Sequence, residues 1–152
     1  MNADPHLKVE MLSQPRYLAG ARAMIASVAQ RLGFPEGDCG QIALALDEAL
    51  CNVINHGYQR DPNGRIWISV WPMNDTSEGV RILIEDEGRK VDPEQIRARD
   101  LDEIRPGGLG VYIINRIMDR VEYRQRPEKG MSLLMEKRRC CSDESPDEVK
   151  ES

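Results

Sequence analysis

The chain is poor in the residues that mark several common classes of protein. Aromatic residues are 5% of its 152 positions, with a single Phe, and there are only two histidines. Of the four cysteines, Cys39, Cys51, Cys140 and Cys141, none forms a Cys-x-x-Cys pair, and neither histidine lies near a cysteine pair. This spacing argues against structural zinc and for reduced thiols in a cytoplasmic protein. Cys51 reads as a small buried thiol rather than a nucleophile. No apolar run approaches the roughly 20 residues needed to span a bilayer. The opening MNADPHLKVE has no signal-peptide pattern, and repeats are absent. A concentrated basic face is missing too. Net charge is −5, and Asp143, Glu144, Asp147, Glu148 and Glu151 against Lys150 put −4 of it in the last thirteen residues. The body is therefore nearly neutral, so neither nucleic acid nor a membrane is an expected partner. Residues 139–152 read as a solvated, disordered acidic tail.

An apolar content of 40% over this length fits one globular domain, residues 1–138, large enough for a core without staples. Leu7 to Leu12 alternates as a strand. Ser13 is positioned as an N-cap with Pro15 in the first turn, and Leu18, Ala21, Ile25, Val28 and Leu32 mark an amphipathic helix that Gly33 and Pro35 end. A second helix starts near Asp38 and runs to Gly57, with Ile42, Leu46, Ala49, Leu50, Val53 and Ile54 as its buried stripe. Glu48, Asn52 and then Asn55 or His56 stack on a neighbouring face, a carboxylate and a carboxamide one turn apart beside buried residues.

After the turn residues Asp61 to Gly64, Arg65–Trp71 and Val80–Glu87 read as an antiparallel hairpin, with Ile66, Ile68 and Val70 facing one way and Trp67 and Trp71 the other. The second strand ends in Asp86-Glu87-Gly88, which puts a carboxylate at the sheet's edge, able to accept a hydrogen bond from an exocyclic amine. Pro93 to Arg105 is polar and weakly periodic, with the composition of a short helix or a flap. Gly107, Gly108 and Gly110 then open a helix carrying Val111, Ile114, Ile117 and Met118. A glycine turn at a helix start leaves N–H groups free for an anion, although no GK[ST] follows it. Val121–Arg126 and Ser132–Lys137 close the domain as a hairpin. The element order is that of an α+β fold, a two-layer sandwich with helices on one face of a mixed, mostly antiparallel sheet.

Glu-x-x-x-Asn on a helix, Asp-x-Gly after a strand and a glycine turn before a helix, in that order, resemble the GHKL (Bergerat-fold) ATP-binding superfamily. DEALCNVINHGY, GGLGVYIINRIMD and the closing MEKR are similar to the bacterial anti-sigma-factor serine/threonine kinases. The resemblance covers about Leu7 to Arg138. It implies ATP and Mg2+ as cofactors, with Asn52 on the metal and Asp86 on the adenine amino group. Gly88 would admit the base, Gly107, Gly108 and Gly110 would wrap the phosphates, and Glu48 would be the general base. It further implies a sigma factor and a phosphorylated anti-sigma-factor antagonist as protein partners, and a homodimer. The alternatives are a sensor histidine kinase domain, for which no phosphoacceptor helix precedes, and a degenerate module that sequesters a partner without turnover. Two positions depart from the family pattern: Lys90 stands where a second glycine is common, and Met131 where a threonine follows the hairpin glycine. Arg105, just before the glycines, reads as a solvent-facing side chain.

Overall fold

The computed structural model describes residues 3–75, 77–96 and 109–139. Gly107, Gly108, Arg105 and all of the acidic tail beyond Arg139 lie outside the described residues. The elements run β1 (Leu7–Leu12), α1 (Leu18–Arg31), α2 (Glu36–Asn52), β2 (Arg65–Pro72), β3 (Gly79–Asp86), α3 (Leu109–Ile117), β4 (Arg120–Gln125) and β5 (Met131–Arg138). This is the strand and helix order expected from the hydrophobic periods.

Strands lie side by side as β1-β2-β3-β5-β4, and each neighbouring pair is antiparallel. The last strand therefore inserts between β3 and β4 and makes β3 central. Period-two alternation explains the layers. Ile66, Ile68, Val70, Val80, Ile82 and Ile84 face the helices and are at most 2% exposed. Against them pack Ile42, Leu46 and Leu50 of α2, Ile25 of α1 and Ile114 of α3, all fully buried. Each such side chain contributes about 1.5–3 kcal/mol. Trp67, Leu83, Glu85 and Leu134 lie on the other face, where Arg81 Nε meets Glu136 Oε2 at 2.6 Å.

The joints between elements matter for the site. α1 ends with Gly33 N–H donating to Gln30 O and Phe34 N–H to Ala29 O, a Schellman closure. Ser13 does not cap α1. Its Oγ donates to Asp61 O at 2.6 Å and accepts from Gly64 N–H at 2.9 Å, stitching the end of β1 to the turn before β2. Pro15 instead starts a short 3-10 turn, Pro15–Tyr17, ahead of α1.

α2 also differs from the continuous helix expected up to Gly57. It stays α-helical only to Asn52, and Val53–Gly57 forms a π-helical turn in which Tyr58 N–H donates to Val53 O at 2.8 Å. Such widened turns leave carbonyls free to bond outside the helix. Gly57 O uses that freedom to accept from Arg89 N–H at 2.9 Å.

Candidate active site

The buried stripe of α2 faces the sheet, and α3 packs alongside α2. Glu48 and Asn52, one turn apart, look toward the start of α3. The approach is close. A methyl group on Gly110 would stand 2.7 Å from Glu48 Oε1 and 3.7 Å from Asn52 Oδ1. Gly110 is the second residue of α3, so the unpaired N–H groups of that helix's first turn open beside the two side chains. Burial, and after it the adjacent Asp47 carboxylate, raise the pKa of Glu48. A carboxylate so raised is a better proton acceptor at neutral pH than an ordinary glutamate.

Asp86 ends β3, and because β3 is central it is buried rather than at an edge, at 3% exposure. Gly88 N–H and Met131 N–H both donate to its Oδ1, at 2.9 and 3.2 Å. Burial raises its pKa, and those two bonds together with the Arg126 charge offset part of the rise. The Met131 bond depends on the hairpin glycine before it. Gly130 has φ +86°, and a methyl group there would fall 1.9 Å from Asp86 O. At Gly88 the space that a side chain would take is filled by Gly57, whose O would lie 2.5 Å from an added methyl group. What Gly88 visibly admits is thus the π-helical turn after Asn52.

Asn52 and Asp86 line one cleft that opens to solvent. His56 lines it, while Asn55 is exposed, which resolves the choice left open by their spacing. The rest of the wall is largely apolar: Ile84, Val91, Ile96, Val111 and Met131 among others. Glu48, Gly88 and Gly110 stand just outside this lining. Residues 93–96 are helical, and Ile96 packs with Val111 and Met131. Neither Val91 nor Ile96 was recognisable as a site residue in the polar stretch that carries them.

The two departures from the family pattern both have partners. Met131 keeps the main-chain bond to Asp86 while its sulfur accepts from Val91 N–H at 3.4 Å. Ser132 pairs with Glu85 and Arg124 and so points the other way. Lys90 Nζ donates to Pro127 O at 3.1 Å, tying the loop after β3 to the last hairpin. Cys51 is half-buried, and burial together with Asp47 and Glu48 raises its pKa, which keeps the thiol protonated and inert. Among the described residues, no three of His, Cys, Asp or Glu gather as a metal-binding group. No helix among them is long and apolar enough to cross a membrane.

Residues 11–137 match the family model described as the histidine kinase-like ATPase domain. The serine-protein kinase RsbW of Bacillus subtilis (strain 168) is 30% identical over 145 residues, covering 90% of this chain and 86% of that protein. Its namesake from Bacillus thuringiensis subsp. konkukian is 33% identical over 141 residues, covering 86% and 84%. Among solved structures, the histidine kinase domain of the Erythrobacter litoralis EL346 blue-light activated histidine kinase superposes with TM-score 0.55 and 21% identity. That match covers 81% of this chain and 59% of the other, and it bears on the fold alone.

Proposed function

Because the chain belongs to the histidine kinase-like ATPase domain family, we propose that it is an ATP-dependent serine/threonine protein kinase and an anti-sigma factor. In this reading it acts in the cytoplasm within a partner-switching pathway. It holds a sigma factor inactive and phosphorylates the antagonist protein that would displace it. The observation that carries the reading is the meeting of Glu48 and Asn52 with the start of α3, beside the cleft that Asp86 closes. The relatives, serine-protein kinases matched over most of their length, narrow the acceptor to a protein hydroxyl.

The residues divide the work as follows. Asp86, its Oδ1 held by two main-chain donors, offers Oδ2 to the adenine amino group. Apolar Val91, Ile96, Val111 and Met131 sandwich the base. Gly110, at the head of α3, would turn its N–H toward the phosphates, a role the family resemblance extends to Gly107 and Gly108. Glu48 accepts the proton of a serine or threonine hydroxyl as its oxygen attacks the γ-phosphorus, and ADP leaves. Asn52 would lend an amide oxygen to Mg2+, a hard cation that takes oxygen donors. When bound, the ion would supply charge neutralisation on the triphosphate.

Incubation with radiolabelled ATP and the candidate antagonist tests the reading. Label on a serine or threonine of the antagonist is expected, reduced by about 100-fold or more in Glu48→Ala. Tight, nucleotide-independent binding of the partner without label would replace the kinase by a sequestering module. The pH dependence follows from the raised Glu48 pKa. Only the carboxylate accepts a proton, so the rate should climb with pH through a limb above the usual glutamate value of about 4.3. The folded state favours protonated Glu48, so the stability this group contributes at low pH is lost as pH rises through its folded pKa. Glu48→Gln should therefore slow phosphorylation yet raise Tm at neutral pH.

A further inference from the structure

Arg126 lies outside the cleft but grips the residue that ends it. Its Nη1 donates to Asp86 O at 2.6 Å. Its guanidinium lies over the Trp67 ring at 5.6 Å, with Nε 4.0 Å from Glu85 Oε2, so the head group is held from three sides. Arg126 N–H also donates to Gly130 O at 3.0 Å, closing the hairpin that delivers Met131 N–H to Asp86 Oδ1. One side chain thus fixes the main chain that bears the carboxylate, and its own main chain fixes the turn that orients one of its oxygens. Lys90 to Pro127 O and Lys129 Nζ to Glu87 Oε1, at 3.8 Å, tie the same two segments together nearer the surface.

We propose that Arg126 is a positioning residue for base selection. By pinning the Asp86 carbonyl and the following hairpin it aims the Asp86 carboxylate at the exocyclic amine of a 6-aminopurine. The inference rests on the reading of Asp86 given above. Adenine presents an N–H donor at C6 and guanine a carbonyl acceptor, so a carboxyl oxygen held fixed as an acceptor takes the first and repels the second. A carboxylate free to turn aside loses the bond to adenine and ceases to repel guanine. Loss of Arg126 should then harm adenine nucleotides selectively, whereas a merely structural role would weaken both.

The test is displacement of a fluorescent ADP analogue by ADP and by GDP, on the full chain and on Arg126→Met, Arg126→Lys and Asp86→Asn. Arg126→Met is expected to weaken ADP about tenfold, the scale of a hydrogen bond to a charged group, with GDP changed less than about twofold. Arg126→Lys should recover part of the ADP loss. Equal weakening of both nucleotides, or an unchanged ADP to GDP ratio, overturns the inference. If Arg126→Met does not fold, Trp67→Leu removes the ring beneath the guanidinium, and there an unchanged ratio overturns it. Asp86→Asn separates the two layers. Wild-type selectivity in that variant sinks the base-recognition reading itself, whereas lost selectivity there with none lost on changing Arg126 sinks only the role of Arg126.

Discussion

Asn52→Ala should lose Mg-ATP binding, by about 100-fold or more, while the protein unfolds at an unchanged temperature. The side chain sits half-buried on the last α-helical residue of α2, beside Gly110 and in the cleft wall. Its loss leaves the packed stripe of α2 untouched, and alanine is a good helix former. Calorimetry with and without EDTA isolates the cause. If Asn52 supplies an oxygen to the ion, metal-free ATP should bind both proteins alike, and the loss should show only with magnesium. ATP affinity that stays the same in magnesium would remove the metal assignment.

Gly130→Ala should be the most damaging single methyl group among the described glycines. Alanine at φ +86° costs about 1–2 kcal/mol from its backbone alone. The added carbon would also lie 1.9 Å from Asp86 O, a main-chain atom in the central strand that has little room to retreat. The total should reach about 3 kcal/mol or more, lowering Tm by roughly 10 °C by circular dichroism. What folded protein remains should bind ATP poorly, since relief of the clash moves Asp86 or Met131. Gly20→Ala is the matched control. It lies inside α1 with nothing within 4 Å of the new methyl group, and it should stabilise by about 0.5–1 kcal/mol. A Gly130→Ala protein as stable as wild type would mean that the hairpin can move without cost.

The fold was legible because hydrophobic period reports directly on burial. Ile66, Ile68 and Val70 alternate, Ile42, Leu46 and Leu50 recur at helical steps, and both sets turn out fully or almost fully buried. Glu48, Asn52 and Asp86 stood out through the order of Glu-x-x-x-Asn, Asp-x-Gly and the glycine turn, and the fold brings Asn52 and Asp86 to one cleft with Glu48 beside Gly110. Ser13 misled because a serine before a helix and a serine closing a distant turn look alike in sequence. Its partners, Asp61 and Gly64, are some 50 positions away. Val91 and Ile96 were missed because two apolar residues in a charged stretch carry no period. Arg126 was missed because nothing local distinguishes an arginine whose partners, Asp86 and Trp67, belong to other strands.

The widened turn at Val53–Gly57 already holds one residue more than an α turn, which makes the spacing between Asn52 and Gly57 intolerant of added length. Inserting one further residue there would exceed even the widened pitch and swing everything downstream by roughly 100° around the helix axis. Gly57 would then no longer meet Arg89 or back onto Gly88, and Tyr58 would lose its bridge between Arg65 O and Glu87 N–H. An added peptide unit would thus disturb this stretch far more than exchange of its one exposed side chain, Asn55.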